Sequence, residues 1–304
     1  VIRGAVQSSN TVTILEELGN KIVEAGQVRD ETEQLIQSGG AATTGDIQEI
    51  NSQLEQNMQK IAESAKNFVN AKNPILTPTY DGSYQAVHPK VLYFPSGWGT
   101  GSWNYWMAMT PYADTDDKYE NPSILVSRTG REFLIPNGLT NPIDKPSDVD
   151  IASGAHMSDT HLVMVGDIME IWYRYNPGNG DGTPNNNITK IFKKTSTDGV
   201  NWSDRIEVFN LENNQFLSPC IIYEDGKYKL WYVNFSKMYY RESIDGIIWS
   251  NDVLCVTPIT DGSMLWHGDI IKTDLGYEMV MSCRDKINTM KYRLYYSSSQ
   301  DGIN

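Results

Sequence analysis

One turn is written three times in this chain: "STDGVNW" from Ser196, "SIDGIIW" from Ser243 and "SSQDGIN" from Ser298. Each copy closes a strand-like run: "ITKIFKKTSTDG", "KMYYRESIDG" and "YRLYYSSSQDG". Four more runs resemble one another, "HPKVLYFP", "DTHLVMVGD", "SPCIIYEDG" and "HGDIIKTDLG", each followed by an aromatic-rich strand. The repeat length is about 50 residues, loosened by insertions, which is the scale of a stacked sheet repeat. A unit of three or four strands cannot bury its own faces, and units stacked about an axis form a β-propeller. In the turn, Gly takes the positive φ and Asp accepts hydrogen bonds from following backbone N–H groups. Trp202 and Trp249 are expected to pack across the turn into their own blade. The motif therefore reads as structural. The last copy reaches Asn304, so the expectation is that more chain follows, with a fifth blade closing a ring that would otherwise expose two sheet edges.

Residues 1–72 obey a different pattern and hold no Trp, Tyr, Pro or Cys. Apolar positions at Ile47, Ile50, Leu54, Ile61 and Phe68, with Asn57 and Ser64 filling the gaps, alternate spacings of three and four. That is a heptad seam, and it predicts a left-handed coiled coil. Ile at both seam positions of the first heptad favours three strands, so a homotrimeric stem is expected. The stem is broken near 38–46 by "SGGAATTGD", where Asp46 and Glu49 have the form of a capping box. A helical hairpin through Gly39–Gly40 ranks second, because it would not require a strict heptad. From residue 73 to 304 the periodicity is that of strands, so the fold class is mainly β: a helical stem and then a propeller.

Net charge of −13 argues against nucleic acid as partner. No apolar run is long enough to cross a bilayer, so membrane insertion is not expected. Cys220, Cys255 and Cys283 are too few and too scattered for a disulfide framework and read as buried thiols.

The stretch "HPKVLYFPSGW…YWMAMTPYADTDDKYENPSILVS" with "PNGLTNPI" after it resembles the propeller of receptor-binding proteins from tailed phages of Gram-positive bacteria, staphylococcal siphophages above all. The resemblance covers residues 74–304. It implies a homotrimer in the virion, at the tail tip among other baseplate and tail proteins, with cell-wall teichoic acid and its sugar substituents as receptor. The function expected on this basis is carbohydrate attachment without catalysis, the alternatives being a propeller glycosidase that trims the cell-wall polymer and a structural fibre segment with specificity elsewhere.

The propeller also looks distantly like five-bladed glycosidases that cut arabinans and fructans, which carry two Asp and a Glu at the start of their innermost strands. Aligning the four runs on Val91-Leu92, Leu162-Val163, Ile221-Ile222 and Ile270-Ile271 puts His88, Asp159, Ser218 and His267 at those places. Glycoside hydrolysis needs a pair of carboxyl groups. Only Asp159 is present, so the chain is expected not to be an enzyme of that kind, although Glu120 and Asp269 lie nearby in sequence. His88, Asp159, His161, His267 and Asp269 could converge at the axis as metal ligands or satisfy one another by hydrogen bonds. The second alternative is the expectation, and no metal or cofactor is assigned. For sugar stacking the candidates are Trp98 and Trp103, set among glycines in "SGWGTGSWNYW"; covering a blade junction is the competing role.

Overall fold

Strand follows strand through the C-terminal part of the chain because apolar and aromatic residues there recur in short runs between turns. The computed structural model describes residues 77–288 and 291–304, with Ser52, Gln53, Gln56 and Ile75. The chain divides into two units, Val1–Ile75 and Leu76–Asn304. In the first, Ser52, Gln53 and Gln56 are helical. The seam residues Ile47, Ile50, Leu54, Asn57, Ile61 and Phe68, and the trimer they imply, lie outside the described residues.

The second unit is mainly β. Its strands form four antiparallel meanders. The first comprises β1 (Ala86–Trp98), β2 (Trp103–Pro111) and β3 (Ser123–Ser127). The second holds β4 (His156–Val165), β5 (Ile168–Asn176), β6 (Ile188–Ser196) and β7 (Ile206–Glu212). The third holds β8 (Leu217–Glu224), β9 (Lys227–Asn234), β10 (Lys237–Ser243) and β11 (Val253–Leu254). The fourth holds β12 (Met264–Thr273), β13 (Gly276–Arg284) and β14 (Tyr292–Ser299). A short helix, α1 (Asp148–Ser153), precedes β4 and is capped by the Ser147 hydroxyl, which accepts from Asp150 N–H. The first strands of successive sheets pack side by side, β1 on β4, β4 on β8 and β8 on β12. That is the blade arrangement of a propeller.

The repeated turn has one geometry in all three copies. Asp198 Oδ1 accepts from the N–H groups of Val200 and Asn201 at 2.9 and 2.8 Å. Asp245 Oδ1 accepts from Ile247 and Ile248, and Asp301 Oδ1 from Ile303 and Asn304, all at 2.8 Å. The glycines take φ of 78°, 69° and 74°.

What the turn does differs from the expectation. It joins neighbouring blades. Trp106, Trp172 and Trp231 sit in the middle strands of the first three sheets, fully buried. A Cβ on Gly199, from the second blade, would fall 2.2 Å from the Trp106 ring of the first. Trp231 Nε1 donates to Gly302 O at 2.7 Å. Trp249 meets Trp172 edge-on at 5.9 Å and Phe209 at 5.7 Å, both in the preceding blade, as well as Tyr228 of its own. The turn also touches its own blade: a Cβ on Gly246 would fall 2.9 Å from the Tyr228 ring. On the fourth sheet, register puts Val280 where Trp231 stands in the third. It is half exposed, with Leu294 and Tyr296 beside it on β14 more so.

The three cysteines are buried free thiols.

The turn gives a pH expectation. Burial alone would raise the Asp198 carboxyl, but the Asn201 N–H and amide, the Val200 N–H and the Ser196 hydroxyl together bring it down to about 2. A depressed carboxylate contributes stability above its unfolded pKa of about 4, lost as pH falls through the folded value. The gap in Tm between the native protein and Asp198→Asn should therefore shrink as pH is lowered from 4 to 2, measured by calorimetry.

Candidate active site

Three residues at matching places in the innermost strands have left-handed backbones: His88 (φ 54°), Asp159 (φ 54°) and Ser218 (φ 50°). Each lies in a bulge, between Val87 and Lys90, Ser158 and His161, and Leu217 and Cys220. The fourth strand is bulged between Leu265 and His267. A non-glycine residue held in this conformation costs about 1–3 kcal/mol and persists where surrounding structure demands it. Here the bulges aim side chains into a cavity of about 780 Å³ at the meeting of the four sheets.

Asp159 is the centre. Its carboxylate is fully buried, and Arg174 Nε reaches Oδ2 at 2.7 Å. Oδ1 lies 3.3 Å from both His88 Nε2 and His267 Nδ1. Neither contact is a hydrogen bond, so Oδ1 is a buried acceptor with none. Ser218 Oγ is 2.7 Å from His267 Nδ1. Glu120, from the loop before β3, is buried with Oε1 4.0 Å from His88 Nδ1 and Oε2 3.9 Å from His156 Nε2.

Burial and charge push these groups apart. Desolvation would raise Asp159, yet the Arg174 guanidinium and then His88 hold it well below the usual carboxylate range. Glu120 is driven well above that range by desolvation and by the Asp159 charge. Desolvation brings His88 down to about 4, and His156 likewise with the help of Arg174. The two carboxyl groups are thus pushed in opposite directions, Asp159 towards its ionised form and Glu120 towards a higher proton affinity.

The donors suit a divalent cation. His88, Asp159 and His267 offer ligand atoms within 4.8 Å of one another. An anionic oxygen lacking a hydrogen bond, between two imidazoles, is the chemistry of a nitrogen/oxygen metal site. His161, Cys220 and Asp269 also cluster, but there the groups are engaged. His161 Nε2 accepts from Ile221 N–H at 3.0 Å, and Lys90 Nζ donates to Asp269 Oδ1 at 2.8 Å.

His88, Glu120, Asp159, His161, His267 and Asp269 thus line one cavity. Trp98 and Trp103 do not. They pair across the end of the β1–β2 hairpin, ten residues along β1 from His88. Trp98 stacks on Phe94 and meets Trp106 edge-on at 5.3 Å, and Arg128 lies over Trp103. Both indoles are half-buried there. His156 and Arg174 also line the cavity, and the sequence analysis did not single them out.

No family model matches the chain. Over 270 residues it is 24% identical to the A type blood N-acetyl-alpha-D-galactosamine deacetylase of Flavonifractor plautii, covering 72% of this chain and 34% of that protein. The chain therefore spans about a third of the length of that curated relative. The crystal structure of an N-acetylgalactosamine deacetylase from F. plautii, in complex with blood group B trisaccharide, is similar with a TM-score of 0.62 and 24% identity, over 72% of this chain and 68% of that one. A Penicillium chrysogenum α-L-arabinanase complexed with arabinobiose gives a TM-score of 0.51 at 17% identity, over 76% and 67%. These likenesses fit a β-propeller.

They also correct the expectation of a catalytically silent receptor-binding propeller from a phage tail, since the proteins similar to this chain are enzymes acting on carbohydrate. The expectation fails for a physical reason. Three carboxylates at fixed places are the requirement of one glycosidase mechanism only. Asp159 stands here with two histidines and a neighbouring Glu120, a different arrangement of groups.

Proposed function

We propose that the propeller unit is a carbohydrate-processing hydrolase that removes the acetyl group from an N-acetylated amino sugar. The observation that carries this reading is Asp159: ionised, buried, and presenting an oxygen without a hydrogen bond between His88 and His267. A divalent cation held by these three residues would, when bound, supply Lewis-acid polarisation of the amide carbonyl. Arg174 and Ser158 hold the other oxygen of Asp159, which keeps Oδ1 turned to the cavity. Glu120, with its high proton affinity, carries the proton from the attacking water to the departing nitrogen. The oxygen of water bonds to the acyl carbon, the carbon–nitrogen bond breaks, and acetate and a free amine leave. His156 faces the far oxygen of Glu120 and orients it.

The test is acetate release from N-acetylgalactosamine-bearing oligosaccharides. A chelator should abolish it, and added Zn²⁺ or Mn²⁺ should restore it. Glu120→Gln should lower kcat by about a hundredfold or more with KM little changed, the usual weight of a general acid–base group. Activity indifferent to both treatments would refute the reading.

A second reading, glycoside hydrolysis, is supported by the opposed proton affinities of Asp159 and Glu120, which suit an acid and its ionised partner. New reducing ends in place of acetate would favour it. We further infer a ring of five sheets. The exposed faces at Val280, Leu294 and Tyr296 and at Val91 and Tyr93 match those that blade-to-blade packing buries elsewhere.

A further inference from the structure

Three lysine or arginine side chains line the cavity: Lys90, Arg174 and Arg284. The first two are spent on carboxylates, Asp269 and Asp159. Arg284 is not. Among the described residues it pairs with no acid, whereas Arg205, Arg241 and Arg293 each have an Asp. Its Nε is buried with no hydrogen-bond partner. In a chain of net charge −13 carboxylates are plentiful, so an arginine without one at a cavity wall calls for a reason.

The placement supplies it. Arg284 ends β13, and its guanidinium lies 3.3 Å over the Trp266 ring, with Tyr292 on β14 5.7 Å away. Trp266 stands in the β12 bulge and meets the His267 ring edge-on at 5.2 Å. His267 in turn reaches Asp159. A guanidinium stacked on an indole spends its face on the ring and keeps its edge donors, the fork that matches two oxygens of a carboxylate or phosphate.

We propose that Arg284, seated on Trp266, is an oxyanion-binding subsite of the cavity, and that the saccharide it takes is acidic. Resting on the hydrolase reading above, a carboxylate or phosphate near the acetylated sugar docks on Arg284 while the acetamido group lies at Asp159. The cavity's own carboxylates disfavour loose anions, so Arg284 selects one at a set distance from the amide.

Isothermal titration of the full chain tests this with three probes: methyl N-acetylgalactosaminide, N-acetylgalactosamine 6-phosphate, and the glucuronate–N-acetylgalactosamine disaccharide. The native protein should bind at least one acidic probe tenfold or more tighter than the neutral one. The probe with that advantage identifies phosphate or carboxylate as the source. Arg284→Gln should lose the advantage and keep its affinity for the neutral probe, while Arg284→Lys keeps part of it; matching circular dichroism would show that the variants fold. No preference in the native protein, or a preference that survives in Arg284→Gln, would overturn the proposal. Acetate release from the neutral probe needs no anion, so failure here and failure of the hydrolase reading are distinguishable.

Discussion

Asp159→Asn should abolish acetate release, by more than about a thousandfold in kcat/KM, since removing one member of a set that acts as a unit costs nearly as much as removing all of it. The substitution keeps the shape of the side chain and removes its charge. It also leaves Arg174, whose side chain is only 14% exposed, facing a neutral amide. Breaking one half of a buried ion pair typically costs about 3–5 kcal/mol, which for a unit of this size is roughly 10 °C in Tm. The double variant Asp159→Asn/Arg174→Gln separates the two effects. Stability should return in part, because no unpaired charge remains, while activity stays lost. Recovery of activity in the double variant would show that Asp159 serves only to neutralise Arg174.

A second large effect on folding is expected at Gly199. Alanine there would have to adopt φ near +78° and place its Cβ 2.2 Å from two ring carbons of Trp106. Backbone strain and overpacking together should cost about 3 kcal/mol or more. Gly166 is the control, with φ of +61° and nothing within 4 Å of an added Cβ. Alanine at Gly166 should cost only the left-handed penalty, about 1–2 kcal/mol. Chemical denaturation of both variants checks the difference, and equal losses would mean that the turn does not key one blade to the next.

The blades were readable because their signals are local. Four consecutive residues set the Ser-x-Asp-Gly turn, and apolar pairs such as Ile221-Ile222 and Ile270-Ile271 align the inner strands without knowledge of their pairing. That alignment reached His88, Asp159, Ser218 and His267, which the bulges bring to one cavity. Arg174 was not readable in the same way, because it faces Ser158 only through the β4–β5 register. A charge inside "IWYRYN" was nonetheless a signal, since an apolar central strand carries a charge only with a partner. His156 had a weaker one, its position three residues ahead of Asp159 in a strand whose bulge returns both to the same cavity. Trp98 and Trp103 lie at the hairpin end, away from that cavity, and their contacts with Phe94, Trp106 and Arg128 depend on pairing that no local run reveals. The blade-joining role of Trp249 depended on the neighbouring sheet and could not be seen in one repeat.

Proton NMR of a purified sample with an N-acetylgalactosamine-bearing oligosaccharide tests the central claim most directly. The acetamido methyl signal should fall as free acetate rises, with no change in the presence of Asp159→Asn. An oligosaccharide that binds the native protein yet yields neither acetate nor a new reducing end, with Zn²⁺ or Mn²⁺ supplied, would contradict the account.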